Sequence, residues 1–243
     1  MVYGIVRLIN FAHGDVFMVG AFASYYAITQ HGWGFIPAIL LAMVVCTFLN
    51  VVIERVAYKP LRNAPRIAAL ITAIGVSFFL EYFTALKWVF SADFITYKRP
   101  FEVVVWKVGG VLITNITVII AVTAIVLLLV LQYIVKSTKI GKAMRACAYN
   151  AQAASLVGID VRIMVMLSFS ISAAIGSLAG IIIAPLTMTS YDVGIMLGLK
   201  GFCAVIIGGM SSGLGTVMGG LLLGLLEALG AGFISAGYKD AIA

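Results

Sequence analysis

Long apolar runs alternate with short polar stretches along this chain. Residues 16–53 contain no Asp, Glu, Lys or Arg, and a glycine-containing break at 31–34 divides them into a short apolar helix over 16–30 and a span over 35–53. About 20 apolar residues cross the hydrocarbon core of a bilayer as a helix, so the second segment is long enough. Further spans are predicted over 67–90, 109–135, 163–191 and 214–236, with a short or broken helix from 195 to about 210.

These runs predict an all-α fold, a polytopic membrane helical bundle that occupies residues 1–243 as a single transmembrane domain. A helix satisfies all of its backbone hydrogen bonds internally, which lipid requires. The strands of a β-barrel would instead alternate polar and apolar residues over short segments. The runs are too long and too uniformly apolar for that architecture.

Composition supports a lipid environment. Charged residues make up 10% of the chain and hydrophobic residues 63%, whereas soluble domains average about 25% charged residues. The formal net charge is +7, and the basic residues fall mainly in two stretches, 54–66 and 136–162. These stretches are separated by two predicted spans, so they lie on one side of the membrane, which the positive-inside rule identifies as the cytoplasm. The charge therefore indicates topology rather than a nucleic-acid partner.

The stretch 136–162 is too polar to span and too helix-prone for a linker. Ser137 or Thr138 is expected to begin a helix, and Gly158 is expected to end it. Small residues recur between them at helical spacing and predict one face: Met144, Cys147, Ala148, Ala151 and Ser155. Such a face could dock a cytoplasmic partner, or the helix could lie among lipid headgroups with its basic side on anionic lipid.

Motifs for catalysis or cofactor binding are absent from the sequence. The Gly141-Lys142 pair is followed by Ala143 and does not form a GxxxxGK[ST] phosphate loop, and there is no HExxH or GxSxG. His13 has no second His or Cys at a ligand spacing, and the cysteines form no CxxC pair. We therefore expect no enzyme activity, no cofactor and no metal site.

Short motifs in the cytoplasmic stretch and elsewhere resemble those of importer permeases. Gln152-Ala153-Ala154, followed after three residues by Gly158, resembles a coupling-loop signature that begins Glu-Ala-Ala-x-x-x-Gly, although Gln replaces Glu and the later Ile-x-Leu-Pro is missing. LINFAHGD at 8–15, GKAMRACAYNAQAASLVGIDV at 141–161 and the glycine-rich run at 200–229 are similar to the LivH-type branched-chain amino acid permease family. The resemblance covers essentially the whole chain.

Membership of that family implies a subunit of an ATP-driven importer in the bacterial inner membrane. Its expected partners are a second permease subunit, cytoplasmic ATPase subunits and a periplasmic substrate-binding protein. The expected substrates are leucine, isoleucine and valine, while related permeases carry urea, amides or other amino acids. ATPase coupling is assigned to Arg145, Ala148, Gln152, Ala153, Ala154 and Gly158. Family members usually extend further at both ends, so this chain is expected to be shortened there.

Polar side chains within the apolar stretches are candidates for a substrate pathway. They are Asn10, His13, Asp15, Glu81 and Glu227. Such groups are costly at membrane depth and usually face an interior or a cavity. The alternative is that they fix helix ends or form interhelix hydrogen bonds. Asp192 and Lys200 are expected to flank the outer turn after Pro185, where a binding protein could dock, and a solvated turn is the simpler expectation.

Glycines four residues apart are spaced for close helix packing. The pairs are Gly176 and Gly180, Gly215 and Gly219, and Gly220 and Gly224.

Two other classes of function remain open from sequence. An ion-coupled secondary transporter would show inverted repeats and paired broken helices, and no convincing repeat is present. A non-transporting membrane partner subunit is also compatible with the spans. Uptake that responds to ATP depletion rather than to an uncoupler would separate an ATP-driven importer from a secondary transporter.

Overall fold

The computed structural model describes residues 10–61, 64–87, 89, 104–108, 111–185, 190–210 and 212–233. The first elements in chain order are α1 (His13–His31), α2 (Phe35–Ile53), α3 (Arg66–Thr84), β1 (Val105–Val108), β2 (Val111–Thr114) and α4 (Asn115–Ser137). They are followed by α5 (Lys139–Tyr149), α6 (Ala151–Leu156), α7 (Val161–Ile183), α8 (Val193–Gly208) and α9 (Gly213–Phe233). Five of the described helical segments are long and apolar enough to cross a membrane. The predicted all-α membrane bundle is confirmed.

Helix α1 lies at the centre of the bundle and packs against α2, α7 and α8. Small residues allow the close approach: a Cβ added to Gly20 would lie 2.8 Å from the Ser177 Cβ, and one added to Gly180 would lie 2.6 Å from the Phe17 carbonyl oxygen. The packing role predicted for Gly176 and Gly180 is therefore confirmed against α1.

The other glycine pairs behave differently from one another. Gly215 and Gly219 bring α9 against α8, since a Cβ on Gly219 would lie 2.3 Å from the Ala204 carbonyl oxygen. Within the described chain, Gly224 has nothing within 4 Å of a built Cβ. A Cβ on Gly220 would lie 3.8 Å from the Ala204 Cβ, an ordinary van der Waals distance, so the last pair does not require glycine for close packing inside this part of the protein.

Helix α2 continues beyond the predicted span end. A π-helical turn over Glu54–Tyr58 and a 3₁₀ turn over Lys59–Leu61 extend it into the stretch predicted as a loop. Tyr58 is buried, its ring lies 5.5 Å from that of Phe169, and its hydroxyl donates to Asn10 Oδ1 at 2.7 Å. This tertiary packing keeps the basic segment helical and corrects the prediction of a loop beginning at 54.

A β-hairpin precedes α4 where the sequence predicted the start of a span. Val105 pairs with Thr114 and Val108 with Val111 in antiparallel register. The Asn115 backbone N–H donates to the Val104 carbonyl at 3.0 Å, which joins the hairpin to the start of α4. β-Branched residues favour the strand once a partner strand is present, a pairing that hydropathy alone does not report.

The stretch 136–162 forms two helices instead of the single helix predicted. Thr138 caps α5 by accepting from the Gly141 N–H at 3.0 Å, as expected for one of the two predicted start residues. Asn150 is extended and its side chain accepts from the Ala153 N–H, so it ends α5 and begins α6. Gly158 has φ of 85° and ends the helical stretch as predicted.

Candidate functional site

Asp15 and Ser77 join α1 to α3 inside the bundle. Asp15 is fully buried, and the Ser77 hydroxyl donates to Asp15 Oδ2. Asp15 Oδ1 lies over Gly194 in the first turn of α8, 2.6 Å from where a Cβ on that glycine would be. Oδ1 has no hydrogen-bond partner within the described ranges. Ser77 lies about 16 Å along α3 from its beginning, which places this group deep in the spanning part of the bundle.

Glu81 lies one helical turn beyond Ser77 on the same face of α3. It is 7% exposed, and its Oε2 has no hydrogen-bond partner in the part of the chain that the structure describes. Asp192, which accepts from the Ser190 hydroxyl, precedes α8 by one residue. Acidic groups from three elements therefore gather near the first turn of α8.

A cavity of about 210 Å³ lies between α3 and α8 beside this group. Ser77 is its polar lining side chain and connects it directly to Asp15. Its other side chains are apolar: Phe11, Ile74, Phe78, Ile195 and Leu199. An apolar space beside a few converging polar groups is the usual form of a small-molecule site.

Asn10 and His13 make interhelix contacts away from the residues that line this cavity. Asn10 Oδ1 accepts from Tyr58, and His13 Nε2 lies 3.3 Å from Ser172 Oγ. The His13 ring also lies over Gly176, 3.2 Å from a Cβ built there. These contacts tie the start of α1 to the end of α2 and to α7.

Glu227 belongs to a separate contact between α9 and α8. Its Oε1 lies 3.0 Å from Lys200 Nζ, and the side chains are 11% and 22% exposed respectively. The expectation that Lys200 lies in a solvated turn is wrong, because this residue is within α8 and its charge is balanced by Glu227.

The residues assigned to coupling lie on both the exposed and the buried sides of α5 and α6. Arg145, Gln152, Ala153 and Gly158 are exposed, Ala148 is half-buried and Ala154 is only 3% exposed. Arg145 Nη2 also approaches the Lys136 carbonyl at 3.4 Å, across the junction of α4 and α5. Each of these roles in coupling stays a prediction.

The small-residue face predicted for docking is turned partly toward the bundle. Met144 and Cys147 are buried, and burial raises the pKa of the Cys147 thiol. Apolar side chains elsewhere on the segment are exposed instead: Tyr149 at 91%, Leu156 at 88% and Val157 at 76%. The extended backbone at Asn150 interrupts the helix, so one helical wheel does not describe both α5 and α6.

Sequence reasoning missed several residues that connect the helices. Ser77 and Lys200 are the partners of predicted acids, and Asn50 Nδ2 donates to the Phe169 carbonyl at 2.8 Å. Asn50 could have been selected as a lone amide in an apolar run. Nothing separates Ser77 in sequence from the other serines of the predicted spans.

The chain matches the family described as branched-chain amino acid transport system, permease component, over residues 1–243. It is 36% identical over 261 residues to the high-affinity branched-chain amino acid transport system permease protein LivH of Escherichia coli K12, covering 100% of this chain and 82% of LivH. It is 35% identical over 254 residues to the corresponding permease BraD of Pseudomonas aeruginosa, covering 100% and 83%.

A more distant similarity extends to another transporter. The galactofuranose transporter permease YtfT of Escherichia coli K12 is 29% identical over 216 residues, which are 88% of this chain and 59% of YtfT. The chain has no match among solved structures. Its full-length match, together with the five described helices able to cross a membrane, identifies an inner-membrane protein. The chain belongs to the family of permease components of branched-chain amino acid transport systems.

Proposed function

We propose that this protein is the membrane-spanning subunit of an ATP-driven importer that carries leucine, isoleucine and valine across the inner membrane. The full-length similarity to permeases named for high-affinity branched-chain amino acid transport carries this proposal. The sequence has no phosphate-binding loop, so ATP hydrolysis falls to cytoplasmic ATPase subunits. A second permease subunit and a periplasmic binding protein complete the assembly.

The cytoplasmic helices α5 and α6 are the proposed docking site for an ATPase subunit. Tyr149, Leu156 and Val157 present apolar surface in an otherwise polar stretch, and apolar surface of this kind is typical of a protein contact. The exposed Gln152 and Ala153, from the motif that resembles a coupling loop, lie on the same short helix as Leu156.

Close packing supports transmission of a push from this surface to the spans. A Cβ on Gly141 would lie 2.1 Å from the Ile134 carbonyl oxygen, so α5 rests directly on the end of α4. Asp160 caps α7 by accepting from the Arg162 N–H at 2.9 Å. The buried Ala154 holds α6 to the rest of the protein. Movement of α5 and α6 would therefore displace α4 and α7 and couple the two sites.

The polar residues predicted to line the pathway have different proposed roles. Asp15 contacts the cavity-lining Ser77, Glu81 lies one helical turn beyond Ser77 on α3, and these two acids are the proposed pathway residues. Asn10 and His13 hold the start of α1 through their contacts with α2 and α7. Glu227 helps to hold α9 against α8 through Lys200.

Uptake of labelled leucine tests the proposed function. Cells that lack this gene would be compared with the same cells carrying it on a plasmid, with the partner subunits shown to be present. We expect restored uptake that is abolished by ATP depletion and insensitive to an uncoupler. Restoration of urea or amide uptake without leucine uptake would instead assign a different substrate to the same assembly.

A further inference from the structure

We propose that Asp15, Ser77 and Glu81 bind the α-ammonium group of an amino acid, and that the cavity between α3 and α8 takes its branched aliphatic side chain. This inference rests on the proposed function and names a recognition site within it. The ammonium group distinguishes leucine, isoleucine and valine from urea, and the aliphatic side chain distinguishes them from polar amino acids. The proposal places the recognition of both groups at one location.

The first argument is the charge of the group. Asp15 and Glu81 are 0% and 7% exposed, and neither carboxylate forms an ion pair with any residue in the described ranges. A buried carboxylate is costly unless it is paired or hydrogen-bonded. Asp192, nearby at the start of α8, is also acidic and would add to the attraction for a cation. The surroundings therefore favour a cationic ligand over an anionic or neutral one.

The second argument is the number of acceptors. An ammonium group presents three donors. Asp15 Oδ1 and Glu81 Oε2 are each without a hydrogen-bond partner within the described chain. Ser77 uses its proton on Asp15 Oδ2, so its oxygen lone pairs remain able to accept. These oxygens belong to residues of α1 and α3 joined through Ser77, and their number equals the three donors of a primary ammonium.

The third argument is the apolar cavity beside these acceptors. Its volume of about 210 Å³ is several times the roughly 30 Å³ that a water molecule occupies in the liquid, so a branched alkyl group fits. Ile74, Ile195 and Leu199 offer it van der Waals contact and offer no partner to a polar side chain. Phe78 is 49% exposed, so the cavity lies near the surface of the described bundle. An inorganic cation would satisfy the carboxylates but would leave this apolar space unused.

Competition by leucine fragments tests the proposal without any substitution. The assembled transporter in nanodiscs, without binding protein or ATP, would be equilibrated with labelled leucine. Isoamylamine keeps the ammonium and the branched tail, whereas 4-methylpentanoate keeps the tail and carries only a carboxylate. We expect isoamylamine to displace leucine within about tenfold of the concentration that leucine itself requires. Equal or better displacement by 4-methylpentanoate, or displacement by Na⁺ at the concentration that isoamylamine requires, would overturn the assignment.

Substitutions then locate the site. Asp15→Asn keeps the shape of the side chain and an oxygen for the Ser77 bond, while Glu81→Gln removes the second charge. Each should weaken leucine binding by about 10- to 100-fold, as expected for a lost hydrogen bond to a charged group. Ser168→Ala is the matched control, because this buried hydroxyl donates to the Val165 carbonyl of its own helix at 2.8 Å. Binding unchanged in both charge variants would contradict the proposal.

Uptake by the complete system separates this inference from the proposed function. ATP-dependent leucine uptake by the wild-type assembly, with unaltered leucine binding in both charge variants, would refute the ammonium site alone. An assembly that transports urea or amides and no branched-chain amino acid would refute the proposed function. If one charge variant does not assemble, the other variant and the fragment competition on wild-type protein decide the question.

Discussion

Lys200 and Glu227 form an ion pair between α8 and α9, with Nζ and Oε1 3.0 Å apart. Glu227→Ala leaves the largely buried lysine without this partner and is expected to lower stability by up to about 3 kcal/mol, since the pair is not fully enclosed. Replacing both residues, as in Lys200→Met with Glu227→Leu, should recover part of that loss. Thermal unfolding of the purified protein in detergent measures both effects, and equal stability of the single and double variants would contradict them.

The close contact at Gly180 predicts a strong effect of one added methyl group. A Cβ there would lie 2.6 Å from the Phe17 carbonyl oxygen of α1, so Gly180→Ala should destabilise the bundle by about 1–3 kcal/mol. Gly224→Ala is the control, because within the described chain nothing lies within 4 Å of its built Cβ. The two variants would be compared by thermal unfolding. Equal losses of stability would show that the α1–α7 contact at Gly180 tolerates an added methyl group.

The exposed apolar side chains of α6 and its end predict the site of ATPase docking. Leu156→Asp and Val157→Asp should each reduce co-purification of the ATPase subunit and ATP-dependent uptake, because a charge would be buried in the interface. Leu112→Asp makes the same change at an exposed position of the β-hairpin and should leave ATPase binding intact. Normal co-purification of both α6 variants would contradict docking at this surface.

Neighbouring alanines in the coupling motif should respond differently to arginine. Ala154 is 3% exposed, so Ala154→Arg would force a charge into the packed side of α6 and disrupt this segment. Ala153 is exposed, so Ala153→Arg should preserve the fold and test docking alone. Limited proteolysis of the cytoplasmic segment distinguishes the two, and equal protease resistance would show that the Ala154 environment accommodates the larger side chain.

Cysteine accessibility tests both burial and membrane orientation. Cys147 is 2% exposed and its thiol pKa is raised by burial, so little reactive thiolate forms and maleimide labelling should be slow. Ser155→Cys introduces a thiol at an exposed position of α6 and should react quickly with a membrane-impermeant maleimide in inside-out vesicles. In right-side-out vesicles it should remain unlabelled. The reverse pattern would place the segment outside the cytoplasm.

The chain's own residues determined the spans because membrane insertion depends on local length and hydropathy. The runs beginning near 35, 67, 163 and 214 all became helices that start within two residues of the predicted positions, whereas α3 and α7 end at Thr84 and Ile183, before the predicted ends at 90 and 191. The start and the end of the helical stretch after Ser137 could also be predicted from sequence, because Thr138 and Gly158 act on the local backbone. Local signals did not predict the break at Asn150, whose side chain accepts a hydrogen bond from the Ala153 N–H and begins a new helix.

Tertiary structure alone decided which polar groups meet and which surfaces remain exposed. Ser77 and Asp15 are 62 residues apart, and their hydrogen bond exists because the fold packs α3 against α1. Burial of Tyr58 against Phe169 likewise depends on a distant helix. Hydropathy and periodicity describe how one segment meets its solvent, whereas the partners of a buried side chain depend on which segments the folded bundle brings together.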